Sequence, residues 1–115
     1  MTKVVFFTFR SDPVCFMHAI LNALDLEDKG MWGEIVFEGA STQLIPLISQ
    51  PDHFLYPLYE KAKIRGMFYG ACQACAKKMG VTEQAESENI PLIGDMAGHP
   101  PMSGFIKQGY TIITL

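Results

Sequence analysis

Short apolar runs alternate along this chain with segments whose apolar residues recur every three or four positions. The first run, residues 3–9 (KVVFFTF), is β-branched and aromatic and almost wholly apolar, the pattern of a strand covered on both faces. Ser11-Asp12-Pro13 follows, with Asp12 suited to an N-cap and Pro13 to a first helical residue. From Val14 onward Phe16, Met17, Ile20, Leu21 and Leu24 mark one helical face, and His18, Asn22 and Asp25 another. Lys29-Gly30 supplies the stop. Residues 34–40 (EIVFEGA) predict a second strand. Helical material runs from Ser41 to about Arg65, broken near Pro51 and Pro57 and closed by Gly66. Residues 67–72 predict a third strand, 73–80 a short helix capped by Gly80, and 82–89 a polar helix with Thr82 as N-cap. A fourth strand (90–94), a turn-rich loop (95–102), a short helix (102–107) and a closing strand (110–115) complete the chain.

Five apolar strands joined by helical crossovers imply parallel pairing. The expected fold class is α/β: a three-layer α/β/α sandwich with a mostly parallel five-stranded sheet, one domain over residues 1–115. No internal repeat, low-complexity stretch or linker interrupts it.

Composition refines this picture. Hydrophobic residues make up 49% of the 115 and charged residues 18%, a globular balance. Eight Phe, seven Met and a mean hydropathy of +0.15 are hard to bury inside one small subunit, so buried subunit interfaces are expected. The net charge of −3, a pI near 5.5 and scattered basic residues argue against nucleic acid or an anionic membrane as partner. Lys77-Lys78 is the single adjacent basic pair and reads as a solvated helix face. No run approaches ~18 apolar residues, so no membrane span is expected. The N-terminal run reads as a strand rather than a signal peptide. Three cysteines, an odd number, do not suit a secreted disulfide framework, and a reducing cytoplasm is the expected location.

In that setting the C-x-x-C of GACQACAKKMG, Cys72 and Cys75, points to catalysis, redox exchange or metal binding. Open parallel sheets gather chemistry beyond the carboxyl ends of their strands. Cys15 follows the first strand, Cys72 ends the third with Cys75 one turn on, and His99 follows the fourth, which places all four at one sheet edge. A helix N-terminus and a C-x-x-C spacing both lower a thiol pKa. Cysteine is also often a small buried hydrophobe. That packing role leads for Cys15, between Val14 and Phe16; function leads for Cys72 and Cys75. His99, in AGHPP, reads equally as surface residue and as base or ligand. Glu38 stands at the correct edge but reads as solvated, and Asp95 as a loop cap. His18 and His53 read as ordinary surface or packing residues, and Glu83, Glu86 and Glu88 as a solvent-facing polar stretch. No G-x-G-x-x-G, P-loop, G-x-S-x-G or H-E-x-x-H is present. A thioredoxin-type site is disfavoured, because the pair follows the third strand and Ala71, not Trp, precedes it.

The stretches KVVFFTFRSDP, EIVFEGAST, GACQACAKKMGV and GYTIITL, in this order over nearly the whole chain, resemble the DsrE-like family, the sulfur-relay proteins DsrE, DsrF and TusD. The resemblance implies a parallel-sheet α/β/α fold and trimers or hexamers, often of related subunits. It also implies a cysteine near the third strand's end that holds sulfane sulfur as a persulfide. Counting back from Gly80 places that role on Cys72. Cys75 departs from the single-cysteine pattern.

The leading expectation is therefore a cytoplasmic sulfur carrier, without organic cofactor, serving sulfur-donor and sulfur-acceptor proteins in a homo-oligomer or mixed ring. In it Cys72 is the nucleophile, Cys75 a resolving or assisting thiol, and Cys15 and His99 are candidate neighbours. The alternatives are zinc held by Cys15, Cys72, Cys75 and His99, a thiol–disulfide oxidoreductase, and a non-catalytic subunit of a ring. The Cys₃His set suits zinc by donor type, although its spacing matches no standard module.

Overall fold

The computed structural model describes residues 1–115. Strands β1 (Lys3–Thr8), β2 (Trp32–Phe37), β3 (Phe68–Cys72), β4 (Leu92–Ile93) and β5 (Tyr110–Thr114) form one sheet in the order β4-β3-β2-β1-β5. Every pairing is parallel. The connections are α1 (Pro13–Asp28), a 3-10 turn (Gly39–Leu44) running into α2 (Ile45–Ile48), then α3 (Tyr56–Ile64), α4 (Gln73–Lys78), α5 (Thr82–Ser87) and α6 (Ser103–Lys107). No helix is long and apolar enough to cross a membrane.

This is the expected three-layer sandwich, with layers of unequal weight. The steps from β1 through β4 all move one way across the sheet, so right-handed crossovers stack their helices on one face. The last step returns from one edge to the other and carries α6 to the opposite face. The core follows this division. Nineteen buried residues, among them Val4, Phe6, Ile35 and Phe37 with Phe16, Ile20, Leu55 and Tyr59, fill the first face. On the second, Val5, Phe7 and Val36 form a small cluster with Phe105, against which Met102, Tyr110 and Ile112 pack.

Local chemistry sets the element ends. Asp12 accepts hydrogen bonds from the Val14 N–H (2.8 Å) and the Cys15 N–H (3.4 Å), as an N-cap should. The buried stripe of α1 is Phe16, Ala19, Ile20, Ala23 and Leu24. Leu21, expected in that stripe, is 41% exposed. Two alanines stand in the stripe instead, and at Ala23 the sheet leaves room for nothing larger: a Cβ on Gly33 would stand 2.7 Å from Ala23 Cα. Pro51 falls in the break between α2 and α3, whereas Pro57 opens α3 rather than breaking a helix, and Pro46 opens α2. Proline at the first turn loses no hydrogen bond, since that N–H has no helical acceptor. Thr82 lies inside α5, behind Val81 as N-cap. β2 starts and ends earlier than the apolar run suggested, which leaves Glu38 outside the strand. In β3, Ile35 pairs with Phe68 but Val36 with Gly70, so Tyr69 is the extra residue of a bulge.

Candidate functional site

Four side chains from three connections meet beyond the carboxyl ends of β2, β3 and β4. Glu38 follows β2, Cys72 ends β3 and caps α4, Cys75 is in the first turn of α4, and His99 lies between β4 and α6. Their donor atoms all fall within 4.8 Å of one another.

Each is held by identifiable local structure. The Glu38 N–H donates to Ser41 Oγ (3.0 Å), and that hydroxyl reaches Thr8 O (2.7 Å) and Glu38 O (2.8 Å), tying the end of β2 to β1. Cys72 Sγ accepts from the Cys75 N–H at 3.4 Å. His99 is presented by a tight turn in which Met96 and His99 exchange backbone hydrogen bonds of 3.0 Å around Ala97 (φ 52°) and Gly98 (φ 93°). Gly98 O accepts from the Ala74 N–H (2.9 Å), which clamps the turn onto α4. His99 Nδ1 then stands 3.0 Å from Cys72 Sγ, and Gly98 O is a further acceptor for the thiol at 3.7 Å.

The electrostatics reverse one expectation. A helix N-terminus was expected to lower the Cys72 pKa, yet Cys72 is fully buried and its thiol is pushed up to about 12. Burial is the largest cause; the neighbouring Cys75 thiol and the Glu38 carboxylate add to it, and the Cys75 amide alone opposes. α4 has only six residues and brings one N–H to the sulfur, too little to offset desolvation. Burial likewise raises the Glu38 pKa, partly countered by hydrogen bonding with Cys72 and by the charge of His99. The thiol at rest is neutral, and Nδ1 is placed to accept its proton.

The arrangement confirms the convergence of Cys72, Cys75 and His99 and replaces the fourth member. Cys15 is half-buried in a separate cavity of about 370 Å³ with Arg10, His18, Thr114 and Leu115. The sheet order explains this. β1 lies two strands from β3, so their ends are about 10 Å apart at ~4.8 Å per strand. Glu38, from the intervening connection, occupies the place expected for Cys15. Its signal was present in the sequence as EGAST directly after a strand, but only the Ser41–Thr8 bonding shows it turned inward, 8% exposed.

By donor type Cys72, Cys75, His99 and Glu38 suit zinc. By distance the fit is looser. Sulfur and nitrogen on one tetrahedral zinc stand about 3.5 Å apart, given Zn–S near 2.3 Å and Zn–N near 2.0–2.1 Å. The 3.0 Å between Cys72 and His99 is a hydrogen-bond length, so the cluster must open slightly to take an ion.

No family model matches the chain. The uncharacterized protein MJ0733 of Methanocaldococcus jannaschii is 30% identical over 99 residues, covering 86% of this chain and 78% of that protein. Two solved structures are similar across nearly all of both chains. The conserved protein of unknown function BT1422 from Bacteroides thetaiotaomicron has a TM-score of 0.70 at 19% identity, covering 98% of this chain and 94% of the other. The protein of unknown function MTH1491 from Methanobacterium thermoautotrophicum has a TM-score of 0.72 at 14% identity, with full coverage of both. At these identities the likeness is one of fold.

Proposed function

The chain belongs to the family of the Methanocaldococcus jannaschii protein MJ0733, and for this member we propose persulfide sulfur transfer at the Cys72–Cys75 pair. The observation that carries the reading is the 3.0 Å contact between Cys72 Sγ and His99 Nδ1, a nucleophile beside its base. Cys72 attacks the outer sulfur of a donor persulfide R–S–SH. The donor S–S bond breaks, Cys72–S–SH forms, and R–S⁻ leaves. His99 takes the Cys72 proton and returns it to R–S⁻, so the products are Cys72–S–SH and R–SH, with no net oxidation. An acceptor thiol then attacks the terminal sulfur and restores Cys72. Cys75 is half-buried where Cys72 is fully buried, so it is the assisting thiol on the solvent side.

Donor and acceptor proteins are the partners this reading implies, with a trimer, hexamer or mixed ring as the assembly. Exposed Leu47, Phe54, Ile64 and Ile106 support buried subunit contacts. Three unbridged cysteines suit a reducing cytoplasm. A second reading, zinc held by Cys72, Cys75, His99 and Glu38, is favoured by the four-donor convergence itself. A closed set of this kind suits a structural ion.

Intact-mass spectrometry after incubation with inorganic polysulfide tests the first reading. A gain of about 32 Da, lost in Cys72→Ser and slowed in Cys75→Ser, is the expected result. A gain that survives Cys72→Ser sinks the carrier role. A loss of ~2 Da that needs both cysteines would assign the pair to disulfide exchange instead. Elemental analysis of protein purified without added metal tests the second: stoichiometric zinc, lost in the double variant, is its expected signature.

A further inference from the structure

Cys72 is fully buried, and neither of the molecule's two cavities reaches it: one is lined by Glu34, Tyr69 and Phe105 among others, the second by Arg10, Cys15 and His18 among others. The groups packed on its sulfur account for the enclosure. His99 Nδ1 stands at 3.0 Å and Gly98 O at 3.7 Å, and the Gly98 turn is clamped to α4 by the Ala74 N–H at 2.9 Å. Glu38, itself buried, closes the site from the end of β2. Cys75 is half-buried, so it alone of the pair has accessible surface. A thiol carried on another chain therefore meets Cys75 and not Cys72.

The spacing of the two sulfurs suits the passage of a third. They stand within 4.8 Å of each other, and the Cys75 N–H donates to Cys72 Sγ at 3.4 Å, so the first turn of α4 fixes the pair. An S–S bond measures about 2.03–2.05 Å, and two in line span about 4.1 Å. A sulfur atom bound to Cys72 on the side of Cys75 is thus within reach of the Cys75 thiol, with α4 left as it is.

We propose that Cys75 is the outlet of the site: sulfur stored on Cys72 passes to Cys75 before a peptide- or protein-borne acceptor thiol takes it. The route rests on the persulfide reading of Cys72 and adds the way the sulfur leaves. Cys75 loses its proton to water and attacks the terminal sulfur of Cys72–S–SH. The Cys75 Sγ–S bond forms, the Cys72 Sγ–S bond breaks, and the hydrogen on the terminal sulfur travels with it. His99, protonated from water, gives that proton to the departing Cys72 sulfur, 3.0 Å from Nδ1. The products are Cys72–SH and Cys75–S–SH, with no net oxidation. The acceptor thiol then attacks the transferred sulfur on Cys75, outside the enclosure, and restores the Cys75 thiol.

Native protein and Cys75→Ser are loaded with inorganic polysulfide, freed of excess reagent by gel filtration and weighed, so that storage at Cys72 is read before any acceptor is added. Absence of the gain of ~32 Da in the native protein at this stage overturns the storage reading and the outlet with it. The loaded proteins then receive either cyanide, an acceptor of two atoms, or glutathione, a thiol on a tripeptide, and loss of the gain is followed by intact mass. The glutathione rate relative to the cyanide rate should fall at least about tenfold in Cys75→Ser, because a bulky acceptor must then wait for local opening to expose Cys72. Taking the ratio cancels any general defect of the variant. Iodoacetamide added to the loaded native protein should trap the extra sulfur on Cys75, as located by peptide mapping. An unchanged ratio with storage at Cys72 intact overturns the outlet alone, as does trapping on Cys72 only.

Discussion

Glu38 and Cys72 restrain each other. Burial lifts the pKa of both, and the carboxylate is one of the groups that keep the thiol neutral. For Glu38 the folded pKa lies above the ordinary 4.5. A raised folded value contributes stability below the unfolded pKa and loses it as pH rises through the folded one, so at neutral pH the carboxylate is a burden. Glu38→Gln should therefore stabilise the fold at neutral pH by roughly 0.5–2 kcal/mol, the usual gain from relaxing a site compromise. That gain should shrink on acidification, as read by urea unfolding at both pH values. The same variant should make Cys72 easier to ionise. In the native protein, iodoacetamide at mildly alkaline pH should label Cys15 and Cys75 well before Cys72, by peptide mass mapping. Cys72 as the residue of interest was legible from C-x-x-C at a strand end. Its protonation was not, because desolvation depends on what the distant Glu38 and His99 segments bring to it.

The decisive element is the short loop between β4 and α6. Gly and Pro in DMAGHPPM mark it as turn-rich. They do not reveal that a two-residue turn at Ala97-Gly98, both at positive φ, aims His99 back at β3. Gly98 is needed twice: its φ of 93° disfavours any side chain, and a Cβ there would stand 3.2 Å from the Ala74 Cβ. Gly98→Ala should cost about 1–3 kcal/mol, the range for such backbone strain, and slow sulfur loading several-fold by moving His99. Thermal unfolding and time-resolved intact mass measure the two effects. Unchanged loading in a destabilised Gly98→Ala protein would separate His99 from the chemistry. A similar gap between pattern and geometry appears in α1, where apolar spacing includes Leu21 but the buried stripe carries Ala19 and Ala23, the latter pressed against Gly33.

Across the whole molecule a half-buried polar contact ties α3 to the end of α5 within the heavy helical layer. Tyr59 of α3 donates its hydroxyl to Glu88 Oε1 at 2.6 Å, just past the end of α5, and Lys63 Nζ reaches the same oxygen at 3.0 Å. Burial alone would raise the Glu88 pKa, but these two partners hold its carboxyl below the ordinary 4.5. A depressed folded value contributes stability above the unfolded pKa and loses it as pH falls through the folded one. Tyr59→Phe should thus cost roughly 1.5–3 kcal/mol at neutral pH, the scale of a hydrogen bond to a charged group. The difference from the native protein should narrow as pH drops below 4.5, measured by chemical denaturation. The sequence presents Glu88 as one of three solvent-facing carboxylates; only the folded chain brings it within reach of Tyr59 and Lys63.

Apolar runs, capping residues and turn chemistry are local properties, and they alone determined the five strands, the α1 cap at Asp12, the parallel α/β/α class and the interest of Cys72 and Cys75. Strand order is not local. It follows from which apolar faces bury one another, and it decided that β1 stands two places from β3, so that Cys15 leaves the site and Glu38 enters it. Long-range burial decided the rest: the neutral thiol against His99, and the Glu34 carboxylate held by Trp32 with its second oxygen enclosed. Such charges are set by neighbours remote in sequence, through desolvation and Coulombic contact that appear only once the chain has folded.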